Sequence, residues 1–158
     1  MRKILLICLL IFLSVSCDEN VSSPVPLAKV NLRINLVNDK PYFNLNNGPL
    51  YYVIANEQTI APEYIKRTDA FGCKGLLLIV NIDSSIPYDI RVYDLYCPND
   101  GVAIHPDKPA FSETATCPAC KAQYNTGNGG FPVKGSKHWL KSYNVYYRDT
   151  TGEYIVTN

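Results

Sequence analysis

Residues 30–36, VNLRINL, alternate strictly, with Val30, Leu32, Ile34 and Leu36 on one side and Asn31, Arg33 and Asn35 on the other. A period of two marks a strand with one wet face. NLNNGP at 44–49 carries an Asn-Gly turn signal ahead of the apolar run LYYVI. CKGLLLIVNI at 73–82, rich in aliphatic and β-branched residues, reads as a buried strand. YDIRVYDLY follows the Pro87 boundary, and FPV, YNVYYR and EYIVTN complete a series of short strands separated by Asn, Gly, Asp and Pro. Only PEYIKR at 62–67 has room for a helical turn or two. The pattern predicts an all-β fold, an antiparallel β-sandwich or small barrel. The twelve tyrosines suit strands with one wet face better than helices.

The first seventeen residues, MRKILLICLLIFLSVSC, follow a different rule. Arg2 and Lys3 precede an apolar run from Ile4 to Leu13, then small residues, which is the layout of a secretory signal peptide over 1–16. The run is too short to span a bilayer, which takes about 20 apolar residues. Leu13, Ser14, Val15 and Ser16 before Cys17 resemble a bacterial lipobox, which implies that Cys17 is lipidated. Residues 17–28 then form a polar, Pro-containing tether, and the folded domain occupies 29–158. This organisation implies a lipoprotein of the bacterial cell envelope, anchored on the periplasmic face or the cell surface.

Cleavage would remove two of the fifteen basic residues, leaving thirteen against fourteen acidic ones, a net charge of −1. No basic field remains for nucleic acid. No nucleophile motif or phosphate loop occurs. His138 reads as a surface residue, and Asp149 and Glu153, around a Thr-Gly turn, as solvated carboxylates.

Four cysteines remain beyond Cys17: Cys73, Cys97, Cys117 and Cys120. Cys73 reads as a small apolar residue. YDLYCPND and TCPACKAQY each place a Cys-Pro pair after an apparent strand, and the proline stiffens the loop. Two stiff loops presenting sulfur from neighbouring strand ends have the layout of a ligand site.

The order of these segments resembles a Rieske-type iron–sulfur domain, as in divergent Rieske-like bacterial lipoproteins. The likeness runs from Phe71 to Val145. Cys97 and Cys117 fall at the family's two cysteine positions, Tyr124 and Gly135 at the close of the second loop, and Leu140, Tyr143 and Val145 on a trailing strand. Asn99 and Cys120 stand where the family keeps its two histidines. The resemblance implies a Rieske-like sandwich with two Cys-bearing loops and a [2Fe–2S] cluster with altered ligands. Cys97, Cys117 and Cys120 would be ligands and His105 the fourth, with Asp100 behind it. The protein would then be an electron carrier meeting a redox partner rather than a stand-alone enzyme.

The residues themselves leave other readings open. The same Cys97, Cys117, Cys120 and His105 suit a structural zinc ion. Alternatively, Cys97 pairs with Cys117 or Cys120 as a disulfide in an oxidising compartment, with no cofactor at all. Thiol–disulfide exchange by Cys-Pro-Ala-Cys lacks the βαβ context that such motifs use. The competing function is therefore a binding or structural module without a cluster, held by disulfides or zinc.

Overall fold

The computed structural model describes residues 24–35, 50–55, 68–81, 86–107 and 113–158, with 50–55 followed as backbone. The expected signal peptide, Cys17, the Asn-Gly turn at 47–48 and the helical turn at 62–67 lie outside these residues. No helix among the described residues is long and apolar enough to cross a membrane.

The described elements are all strands, and every pairing between them is antiparallel, so the all-β expectation holds at that level. The larger sheet contains β1 (Val30–Ile34), β2 (Leu50–Ala55), β3 (Ala70–Phe71), β4 (Leu76–Asn81), β5 (Asp89–Asp94), β10 (Ser142–Arg148) and β11 (Glu153–Thr157). Its order is β2-β4-β5-β10-β11-β1-β3. The smaller sheet, in order β6-β7-β8-β9, contains β6 (His105–Pro106), β7 (Thr114–Thr116), β8 (Gln123–Asn125) and β9 (Phe131–Lys134).

Side-chain alternation divides the apolar residues into two cores. Val30, Leu32 and Ile34 of β1 point inward, as their period predicts, with Asn31 and Arg33 on the other side. They join Leu76, Leu78 and Val80 of β4 with Ile90, Val92, Tyr143, Tyr154 and Val156. The intervening β4 residues, Leu77 and Ile79, face a second core with Tyr93, Leu95, Ile104, Ala115, Tyr124 and Leu140. β4 is unbrokenly aliphatic because it has no wet face. Burying each such side chain contributes about 1.5–3 kcal/mol.

The second core packs the smaller sheet onto β4 and β5, and Cys97 and Cys117 belong to it. Tyr93 links the two sheets further by donating its hydroxyl to the Thr126 carbonyl at 2.9 Å. Upstream, Val25 is also buried, while Asn158 holds the start of β1 through Val30 N (2.6 Å) and Ala28 O (2.8 Å).

Candidate metal centre

Both Cys-Pro loops adopt the same closed turn. In the first, Cys97 N donates to Val102 O at 3.0 Å and Gly101 N donates back to Cys97 O at 2.9 Å. In the second, Cys117 N donates to Ala122 O at 2.8 Å and Lys121 N to Cys117 O at 3.0 Å. Proline follows each cysteine and fixes one dihedral of the turn. The fifth residue is left-handed in both, with φ of 72° at Gly101 and 62° at Lys121. Each turn offers side chains at its first and fourth positions: Cys97 with Asp100, and Cys117 with Cys120.

These four side chains converge. Their ligand atoms all lie within 4.8 Å of one another. Cys97 Sγ and Cys120 Sγ are 3.7 Å apart, and Cys117 Sγ is 3.3 Å from Asp100 Oδ2. Thiolates about 2.3 Å from a tetrahedral zinc ion stand about 3.8 Å apart, so the Cys97–Cys120 spacing fits one such ion. Cys97 and Cys117 are fully buried at the tip of the second core, while Asp100 and Cys120 lie at the solvent face.

The approach to the first turn is set by Asp94, which is itself fully buried. Its Oδ1 accepts from Tyr96 N (2.8 Å) and Lys74 N (3.3 Å), and its Oδ2 from Cys73 N (2.8 Å) and Tyr143 OH (2.9 Å). Four donors from three parts of the chain compensate the burial of this carboxylate. Gly72 packs so closely that an added Cβ would run into Asp94 Oδ2, and its φ of 70° also favours glycine. On the second turn's side, Asp107 Oδ2 accepts from Thr114 Oγ1 (2.7 Å), Thr116 Oγ1 (3.0 Å) and Gln123 Nε2 (3.1 Å), tying β7 to β8 just before Cys117.

A third segment caps the site. Asn99 Nδ2 donates to Gly135 O at 2.8 Å and points at Cys120 Sγ at 3.6 Å, while Ser136 Oγ donates to Asn99 Oδ1 at 2.9 Å. The Tyr124 hydroxyl lies 3.6 Å from Cys97 Sγ. Such outer contacts orient ligands and tune the charge they carry.

The local electrostatics separate the donors. Burial pushes the Cys117 thiol up to about 12. The backbone N–H of Val102 holds the Asp100 carboxyl below its ordinary range against a smaller desolvation effect, and nearby thiols assist. Without a cation the buried Cys117 sulfur is thus protonated at neutral pH, while Asp100 is already ionised. A metal ion deprotonates a thiol that coordinates it.

The positions bear directly on the sequence expectations. Cys97, Cys117 and Cys120 come together. His105 does not join them: it is exposed on β6, where it pairs with Thr116. Its neighbour Ile104 is buried in the second core, and successive residues of extended chain face opposite ways. Asp100 takes the fourth corner. The signal for it was the repeated spacing: aligning CPND with CPAC sets Asp100 opposite Cys120.

The disulfide expectation is also corrected, because all four cysteines among the described residues are free thiols. The 3.7 Å between Cys97 and Cys120 far exceeds a disulfide bond of about 2.05 Å. Cys73 lies elsewhere, its thiol 3.4 Å from Pro26 O. His138 is half-buried, with its backbone N–H on Ser136 Oγ, and is not one of the converging donors. Glu153 sits 3.8 Å from Arg148.

No family model, curated protein or solved structure matches the chain. The Rieske identification is therefore overturned together with its [2Fe–2S] centre. Rieske ligation uses two histidines and two cysteines, and a two-iron rhomb gives each iron its own ligand pair. Here three thiols and one carboxylate converge on a single point.

Proposed function

We propose that the protein is a metal-binding module whose site is a single zinc ion held by Cys97, Asp100, Cys117 and Cys120. The observation that carries this reading is the convergence of four donor atoms within 4.8 Å, supplied by two turns of the same form. Cys-rich tetrahedral sites favour zinc, and four protein donors leave no corner for a substrate water, which suits a structural role. The two turns extend from β5 of the larger sheet and β7 of the smaller. An ion shared between them joins the sheets at the end of the second core. The function is then to fix a rigid β-rich surface for a protein partner.

Binding coupled to folding in this way stabilises by mass action, by about 4 kcal/mol when free ion is 1,000-fold above its dissociation constant. Thermal unfolding of the wild type with and without a chelator, beside Cys117→Ser, tests the proposal. Zinc should raise the wild-type midpoint and leave the variant unmoved; equal midpoints throughout would refute it. We further propose attachment at the bacterial cell envelope through lipid on Cys17, supported by the pattern of residues 13–17. Palmitate label should enter the wild type and be absent from Cys17→Ser; unlabelled wild type would refute the anchor.

A further inference from the structure

The two turns are equivalent in backbone and unequal in chemistry. Position four is a thiol in one, Cys120, and a carboxylate in the other, Asp100. Cys97 and Cys117 are fully buried, so solvent reaches the site on the side of Asp100 and Cys120. Of these two, Asp100 is the harder and weaker donor for a thiolate-rich ion. It also has other partners ready. Oδ1 accepts from Val102 N at 3.0 Å, and Oδ2 from Cys120 N at 3.1 Å. A carboxylate leaving an ion here keeps both of these hydrogen bonds, at little cost. Cys117, by contrast, is fully buried in the second core.

We propose that Asp100 is a displaceable corner, and that the ligand replacing it is a thiolate from outside the chain. This rests on the metal-binding reading above and specifies how that site exchanges its ion. In the exchange an incoming thiol gives its proton to solvent, its sulfur bonds to the ion, and the bond from Asp100 to the ion breaks. The carboxylate stays on the N–H groups of Val102 and Cys120, and no electrons are transferred. The incoming thiol is a small cellular thiol or a cysteine of a receiving protein. In either case the ion that braces the two sheets enters and leaves through this corner.

Cobalt(II) serves as the probe, because its sulfur-to-metal absorption grows with each coordinated thiolate. Cobalt-loaded wild type should gain intensity on adding 2-mercaptoethanol, approaching the level of cobalt-loaded Asp100→Cys, which should itself be insensitive to added thiol. Asp100→Asn, isosteric and without the charge, should take up the added thiol at lower concentration than wild type. A reduced peptide containing one cysteine distinguishes the sources. Saturation at a concentration at least tenfold below that of 2-mercaptoethanol assigns the corner to a protein thiol, and equal saturation assigns it to small thiols. Release of cobalt to a chromogenic chelator should be at least tenfold slower from Asp100→Cys than from wild type. Wild-type absorption that does not respond to thiol, or equal release rates, would overturn the displaceable corner while leaving the metal site standing. Failure of wild type to bind cobalt at all would instead overturn the metal-binding reading and this inference with it.

Discussion

Gly101 and Lys121 occupy the same left-handed backbone position, four residues after Cys97 and Cys117, with φ of 72° and 62°. One is the residue that this conformation favours, and the other is not. A left-handed conformation costs an L-residue about 1–2 kcal/mol, and glycine gives back about 0.5–1 kcal/mol in extra chain entropy. Lys121→Gly should therefore stabilise the protein by about 0.5 kcal/mol. Gly101→Ala should do the reverse, because its Cβ would also meet the Tyr96 hydroxyl at 2.7 Å. A loss of about 1–3 kcal/mol is expected. Denaturant midpoints of the two variants check the pair.

Asp94 connects the larger sheet to the first turn, and every group facing its oxygens is a donor. Asp94→Asn replaces an acceptor by an NH₂ that meets donors, and should cost about 2–4 kcal/mol. Tyr143→Phe removes one of the four donors and should cost about 1–2 kcal/mol. Urea unfolding should rank wild type, Tyr143→Phe and Asp94→Asn in that order of decreasing stability.

Acid should loosen the smaller sheet through Asp107. Partial burial raises its carboxyl, but the bonds from Thr114, Thr116 and Gln123 outweigh this and hold it below its ordinary value. A folded-state value depressed below the unfolded one of about 3.9 stabilises fully above that pH. The contribution is lost as pH falls through the folded value. Stability measured from pH 6 to pH 2 on metal-free protein should fall more steeply below pH 4 for wild type than for Asp107→Asn. Parallel curves would contradict the assignment.

Asn99 ties the capping segment to the site through Gly135 and Ser136 and aims its amide at Cys120. Outer contacts of this kind are worth about 10- to 100-fold in metal affinity. Asn99→Ala should weaken zinc binding by about tenfold, with the fold retained, in a competition titration against a chelator of known affinity.

The legible part of the fold was the part written in periodicity. β1 alternates in sequence and in burial, and the apolar run of β4 announced a buried strand, though not that its two faces serve two cores. The three sulfur donors were legible because Cys-Pro recurs at the ends of apparent strands. The fourth was not, since chemistry suggested a histidine while geometry chose a carboxylate. His105 has the better ligand atom, but it follows Ile104 on extended chain and is turned outward by that neighbour's burial. Asp100 has the right position, set by a turn whose closure depends on hydrogen bonds and on a left-handed fifth residue. Asp94 escaped notice for a related reason. A buried carboxylate is recognisable by its four donors, which come from positions 73, 74, 96 and 143.

The central claim is that two equivalent turns hold one ion between three sulfurs and one oxygen. X-ray absorption at the zinc edge of stoichiometrically loaded protein tests it most directly. The expected first shell has three sulfurs at about 2.3 Å and one oxygen at about 2.0–2.2 Å, becoming four sulfurs in Asp100→Cys. A shell dominated by nitrogen and oxygen, or a wild-type protein that retains no zinc, would contradict the account.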